Sequence, residues 1–207
     1  MKKKPKIYKL KKLNLEIKRK IISLIKEENP ESIISKLSQN NIFKYLDIVS
    51  NSNKLDLLVV NYKSNLVGYA IVAKQPSYLF SEFYLLKFKI FLNLLINFNF
   101  LTILNIIISI IKIDMIFINK IDKKLIKNNY NLNLLAIKKK FQSRGIGKLF
   151  LTEILKKIKV TKKISYLTCE TYDSRALDFY IKKCNFKKIG IKIRFFKNLH
   201  VLKKKIN

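Results

Sequence analysis

The sequence predicts an α/β fold, and three observations carry that prediction. After Asn128 the patterns alternate strand, helix, strand, helix, strand, the order of a layered domain whose central strands run parallel. Ahead of them, "KLDLLVVNYKSNLVGYAIVAK" sets two runs rich in Val, Leu and Tyr on either side of "KSN", a β-hairpin with its turn at Lys63 to Asn65. Earlier still, "LEIKRKIISLIKEE" and "ESIISKLSQNNIFKYL" space their apolar residues as helices do, with Pro30 just ahead of a helix start at Glu31. The first fifty or so residues therefore read as helical.

The later elements follow in order. "YNLNLLAIKK" reads as a strand, and "RGIGKLFLTEILKKIK" as a helix with apolar residues at 146, 149, 150, 154, 155 and 158. "KISYLTCET" is a strand, "SRALDFYIKKC" a helix, and "FKKIGIKIRFF" with "LHVLKK" two closing strands. Between the hairpin and this block, Tyr78 to Ile118 is nearly all apolar, and Ile90 to Ile111 carries no charge. That length fits a membrane span. Asn93, Asn97, Asn99 and Asn105 oppose one, because amides are costly in hydrocarbon. Turned at about 100° per residue, Asn93, Asn97, Thr102, Asn105, Ser109 and Lys112 share roughly half a helix circumference. Helices packed on the domain, a helix lying on a membrane surface and a true span all stay open, and the amides favour the first two.

At 207 residues, 49% of them apolar with 14 Phe and 10 Tyr, the chain can bury one sizeable core, so a single domain over 1–207 is expected. Its net charge of +31 comes from 44 basic against 13 acidic residues, and Arg occurs only at 19, 144, 175 and 194. Lysines spread over the whole chain form a solvated coat that attracts polyanions in general. Grouped arginines and exposed aromatics along a basic stripe are missing, so no specific nucleic-acid partner is expected. Cys169 and Cys184 suit neither a disulfide framework nor a metal site, and read as reduced apolar packing. A triad centred on the lone His200 lacks a nucleophile elbow nearby. The basic start "MKKKPKIYKLKK" precedes no apolar secretion segment, which points to the cytoplasm, or to the inner face of the membrane if 79–118 makes peripheral contact there. The oligomeric state leaves no trace in the sequence.

The segment with most chemistry is "KKKFQSRGIGKLFLTEIL". A chain with four glycines places two of them, Gly145 and Gly147, at a strand-to-helix crossover. A helix start presents unpaired N–H groups and the positive end of the dipole, and a residue without Cβ lets phosphate oxygens approach the main chain. Lys138, Lys139, Lys140, Arg144 and Lys148 surround the point and add attraction. A diphosphate site and plain close packing of helix on strand are both compatible with the two glycines taken alone.

Set beside its neighbours, this stretch resembles the acetyl-CoA binding motif of the GCN5-related N-acetyltransferase (GNAT) family, a strand, a Q-x-x-G-x-G turn and a helix. Gln142, Arg144, Gly145, Ile146 and Gly147 fit it in register. "DSRALDFYIKKCNF" is similar to the family's later helix, N-x-x-A-x-x-F-Y ending at Gly-Phe, with Asp173 in place of the asparagine and Asn185 in place of the glycine. Asp is a good helix N-cap and Asn tolerates the left-handed conformation, so both substitutions keep the local physics. Gly68 and Gly190 also fall where the family uses a small residue. The resemblance covers roughly Lys54 to Lys74 and Asn128 to Lys204, with helices before and an apolar helical insertion at about 76–120 between the third and fourth strands.

The resemblance implies a mixed, mostly antiparallel twisted sheet flanked by helices, with its central parallel strands splayed. It implies acetyl-CoA as cosubstrate and direct transfer of the acetyl group to a primary amine. The backbone at Leu135, Ala136 and Ile137 would pair with the pantetheine arm, with the Ile137 N–H polarising the thioester carbonyl. Gln142, Ser143, Arg144, Gly145, Ile146, Gly147 and Lys148 would take the diphosphate, with Asp173 as a further contact. Tyr180 corresponds to the family's general acid; Glu170 and Glu82 are the acidic candidates for the base. A lysine-rich surface suggests a small anionic acceptor, such as an amino sugar of surface polysaccharide biosynthesis. The competing expectation is a catalytically silent, basic protein of the same fold that binds nucleic acid or an anionic membrane.

Overall fold

The computed structural model describes residues 4–30, 32, 34–74, 129–158, 165–194 and 197–206, with the backbone alone described at 193, 194 and 197. The insertion expected at 76–120, the apolar segment 79–118 and Glu82 lie outside the described residues.

The elements are β1 (Lys6–Lys9), α1 (Leu15–Glu28), α2 (Gln39–Asn51), β2 (Leu55–Tyr62), β3 (Asn65–Ala73), β4 (Tyr130–Ile137), α3 (Ile146–Lys157), β5 (Tyr166–Thr171), α4 (Ser174–Asp178), β6 (Lys187–Arg194) and β7 (Lys197–Lys205). A single turn of π-helix, Phe179–Lys183, extends α4. Among the described residues, seven strands form one sheet in the order β1-β2-β3-β4-β5-β7-β6. Only β4 and β5 are parallel; every other neighbouring pair is antiparallel.

Two apolar layers cover the two faces. On one, α1 and α2 bury Ile21, Ile25, Ile42 and Leu46 against Leu57, Val59, Tyr69 and Ile71, each side chain contributing on the order of 2 kcal/mol. On the other, Phe150, Leu151 and Ile154 of α3 pack with Val60, Ile137, Leu167, Cys169 and Tyr180. Among the described residues, no helix is long and apolar enough to cross a membrane.

The start of the chain departs from the helical expectation. "KIYK" pairs antiparallel with β2, Lys6 against Asn61 through Lys9 against Leu58, as an edge strand too short and lysine-rich to show an apolar period. Helix α1 begins where expected, after Asn14, whose side chain accepts the Ile17 N–H at 2.8 Å. The second helix starts at Gln39, eight residues later than Glu31. Ser35 Oγ lies 2.7 Å from the carbonyl oxygens of both Pro30 and Ser32, which share its one proton, and Ser32 Oγ accepts the Ser35 N–H, so local side-chain bonds hold a 3₁₀ turn at Ile34–Lys36 instead. Ser38 then caps α2. The β2–β3 turn sits where the sequence puts it, with Lys63 at φ 49° and Ser64 at φ 66°, the sign that a two-residue hairpin of matching twist demands at both positions.

Strand β3 ends and β4 begins side by side, Ala73 opposite Asn131.

Candidate active site

The site begins with one extra residue in β4. Pairing with β3 runs Ile71 to Leu134 and Val72 to Leu132, which leaves Asn133 as a bulge. A bulge reverses which alternate residues face which layer. Before it Tyr130 and Leu132 pack toward α3; after it Leu135 and Ile137 do so, while Leu134 and Ala136 turn to α1 and α2.

A bulge also increases twist, and here the parallel partners part. Strand β5 pairs with β4 only at Tyr130 to Leu167, Asn131 to Thr168 and Leu132 to Cys169. Beyond that point β4 stays with β3 up to Ile137, and β5 stays with β7 up to Thr171 opposite His200. A wedge-shaped gap opens toward the C-terminal ends of both strands. Its β4 wall is hydrogen-bonding backbone. The Lys138 N–H donates to the Val67 carbonyl at 2.8 Å, and N–H groups alternate along a strand, so those of Leu135 and Ile137 point away from β3 into the gap.

Gly68 makes this wall possible. A Cβ there would lie 2.5 Å from Ile137 Cδ1 and 2.6 Å from the Ala136 carbonyl oxygen, so any larger residue would push β4 off β3.

At the end of the wall the chain turns into α3 through Lys138 to Gly145. Ser143 has φ 59° and Gly145 φ 77°, two left-handed residues just ahead of the start of α3, where the first N–H groups of the helix lack intrahelical partners. The structure divides the work of the two glycines. Gly145 supplies the left-handed conformation, and a Cβ on it would meet nothing within 4 Å. Gly147 is a contact residue: its Cβ would lie 3.3 Å from the Phe179 ring, so it permits close packing of α3 on the π turn. The Gln142 side chain donates to the Ile137 carbonyl oxygen at 2.7 Å. Phe141, between Lys140 and Arg144, whose cations lie 5.3 and 5.7 Å from its centroid, meets Tyr62 edge-on at 6.0 Å.

Tyr180 lies on the α3 side of the sheet, buried in the core that also holds Ile137 and Ile146. Its ring packs between Phe179 and Phe186, at centroid distances of 5.3 and 5.2 Å. Burial, with the neighbouring thiols of Cys169 and Cys184 adding to it, pushes its phenol well above the usual value near 10, so it is a neutral donor at working pH. Cys169 and Cys184 are free and buried, and burial raises both thiols as well, which makes them inert packing.

Glu170 faces the opposite layer, since its neighbour Cys169 points at α3. Its carboxylate meets Lys192 Nζ at 2.5 Å, a largely buried pair that spans from β5 to β6. Asp173 caps α4, accepting the Ala176 N–H at 2.8 Å, with Arg175 3.8 Å away. Asn185 adopts φ 57° at the end of the π turn, and the Phe186 N–H closes back on the Tyr180 carbonyl at 3.0 Å. His200 sits on β7 with Nδ1 buried and without a hydrogen-bond partner; burial first and Lys188 second lower its pKa, so it stays neutral. Among the described residues, no group of three His, Cys, Asp or Glu could hold a metal ion.

No protein-family model matches the sequence, and no curated protein matches it. Solved structures do. An acetyltransferase of the GNAT family from Streptococcus pneumoniae superposes with a TM-score of 0.54 at 11% identity, covering 99% of this chain and 100% of that one. The fold is that of the GCN5-related N-acetyltransferases. The ribosomal-protein-S18-alanine N-acetyltransferase from Escherichia coli gives 0.56 at 9% identity over 99% of this chain and 95% of its own. An aminoglycoside 6'-N-acetyltransferase complexed with coenzyme A gives 0.58 at 10% identity over 98% and 97%.

Within this GNAT fold the structure gathers Leu135, Ile137, Gln142, Ser143, Gly145 and Gly147 around the end of β4, with Tyr180 in the layer beneath and Asp173 just past the end of β5. It sets Glu170 on the other face from Tyr180. Three contributors are invisible to motif reading. Asn133 acts through its count in the strand, Phe141 pins the loop to Tyr62, and Glu28 of α1 bonds the loop through both carboxylate oxygens.

Proposed function

We propose that this chain is an N-acetyltransferase that moves an acetyl group from acetyl-CoA directly to a primary amine, through one acetyltransferase domain over 1–207 in which 76–120 is an insertion. The observation that carries this reading is the gap between β4 and β5, with outward N–H groups on one wall and a left-handed, glycine-bearing helix start at its end. The residues fit acetyl-CoA: the gap takes an extended amide-bearing arm as a strand takes its partner, and the open space at Gly145 admits phosphate oxygens. The structural neighbours add support, because the activities they are named for are N-acetyl transfers.

Leu135 and Ile137 would pair with the pantetheine arm while Ala136 between them holds the strand on β3, and Ser143 to Lys148 would take the diphosphate on a loop braced by Gln142, with Arg144 and Lys148 supplying charge and Asp173 a further contact. Acetyl-CoA supplies an acyl carbon activated as a thioester. The Ile137 N–H, pointing into the gap, stabilises the oxyanion as the amine attacks, a contribution of about 3 kcal/mol for one such donor. Tyr180, kept neutral by burial, donates to the departing sulfur. Glu170, on the opposite face, takes the amine proton through water and is oriented by Lys192. The basic, acid-poor composition supports a small anionic acceptor, such as an amino sugar, handled in the cytoplasm.

The test is a panel of amines, anionic amino sugars included, assayed with acetyl-CoA against wild type and Tyr180→Phe. Acetyl transfer to one class, with kcat reduced about 10²-fold in the variant, is the expected result. Salt-steep binding of nucleic acid or anionic vesicles with no transfer to any amine would favour the silent basic protein instead.

A further inference from the structure

The last turn of α1 is hydrogen-bonded to the glycine loop through the Glu28 side chain. Glu28 Oε1 accepts the Lys139 N–H at 2.7 Å, and Oε2 accepts Gln142 Nε2 at 3.2 Å. The same Gln142 nitrogen donates to the Ile137 carbonyl oxygen at 2.7 Å. Helix α1 is itself tied down at this end, because the next residue, Asn29, donates to the buried Tyr69 hydroxyl on β3 at 2.9 Å. Lys138 Nζ lies 3.9 Å from the Glu27 carboxylate, and Glu27, Glu28, Lys138, Lys139 and Lys140 line an open recess of ≈ 470 Å³.

The chain of bonds runs from a helix on the α1 and α2 face, through a carboxylate and an amide, to the carbonyl of the residue whose N–H points into the gap. An amide nitrogen has two hydrogens, and here one goes to Ile137 and one to Glu28, so the Gln142 side chain has a single orientation. With both its hydrogens spent, that nitrogen is left no proton for a phosphate; the side chain braces the loop instead.

We infer that Glu28 is a positioning residue that holds Lys139 and Gln142, keeps the loop in its phosphate-accepting shape, and couples α1 on one face of the sheet to the cofactor loop. The inference rests on the proposed acetyl-CoA reading. Bonds from a neutral donor to a carboxylate are among the stronger ones, and losing two of them loosens the loop enough for about a tenfold loss of cofactor affinity.

The experiment uses the full chain as wild type, Glu28→Ala and Glu28→Gln. Amide hydrogen exchange at Lys139 is followed by NMR without ligand, acetyl-CoA affinity is measured by calorimetry, and KM and kcat are measured separately. In Glu28→Ala the Lys139 amide exchanges about tenfold faster and acetyl-CoA binds about tenfold more weakly, with KM for acetyl-CoA raised and kcat at saturation near wild type. Glu28→Gln keeps an oxygen for Lys139 but turns a donor toward Gln142, so it falls between the two. A merely structural defect would lower kcat through the active fraction and leave KM unchanged; that result, or unchanged Lys139 exchange, overturns the inference. If wild type binds no acetyl-CoA, the functional reading fails and the coupling to cofactor fails with it, whereas the exchange data still decide whether Glu28 holds the loop.

Discussion

The three glycines around the site illustrate how unlike residues of one type can be. Gly68 cannot carry a Cβ because backbone and side-chain atoms occupy its place at 2.5 and 2.6 Å; Gly145 has the room but the wrong φ for an L side chain; Gly147 has an ordinary φ and a ring 3.3 Å away. Alanine should therefore cost most at Gly68, upward of about 3 kcal/mol because β3 and β4 must separate. At Gly145 it should cost about 1 kcal/mol of conformational strain, and at Gly147 a similar or smaller amount, absorbed by a shift of Phe179. Urea unfolding of the three variants checks the order; a Gly68→Ala protein as stable as Gly145→Ala would contradict it. Sequence reading located all of these positions but left the work of Gly145 and Gly147 undivided, because spacing reports neither φ nor what stands opposite. At Asp173 and Asn185 the expected N-cap and left-handed residue were legible, since both are local matters that the side chain itself decides.

At the scale of elements, three buried tyrosines sit at the junctions of helix and sheet. Tyr69 on β3 bonds Asn29 at the end of α1, Tyr45 of α2 lies buried beside Asn133 of the β4 bulge, and Tyr180 joins the π turn to the core. Burial is the leading cause that raises all three phenols above the ordinary value near 10. The unfolded chain then releases these protons first as pH rises, so the stability they contribute is complete below about pH 10 and is lost above it. Comparing wild type with Tyr69→Phe isolates the effect from the titrating lysines. Between pH 9 and 11.5 the thermal midpoint of wild type should fall relative to that of the variant; parallel curves would show that Tyr69 ionises alike in both states. Elements were less legible than residues where local bonds compete with periodicity. Strand β1 offers only two apolar residues among lysines, and the start of α2 is deferred by serine hydroxyls that satisfy the backbone around Ser32 and Ser35.

For the whole molecule, the sequence was legible because its strand order, hairpin and crossover loop each agree with one topology, and the sheet adds the parallel pair where the crossover requires it. The splay that makes the site was not legible from periodicity, since it depends on one uncounted residue, Asn133, altering twist and parity together. The charge of +31 bears on anion attraction in general, and under the proposed function the gap would make it specific. The central claim is that the parted strands are the seat of acetyl-CoA. Titrating acetyl-CoA into the full-length, isotope-labelled chain tests it most directly, with backbone amides observed by NMR. Saturable 1:1 binding that shifts and protects the Leu135 and Ile137 amides together with those of Ser143 to Lys148, leaving the already bonded Ala136 amide slow throughout, is the predicted result. Absence of binding, or shifts confined to surface lysine-rich segments and abolished by moderate salt, would contradict it.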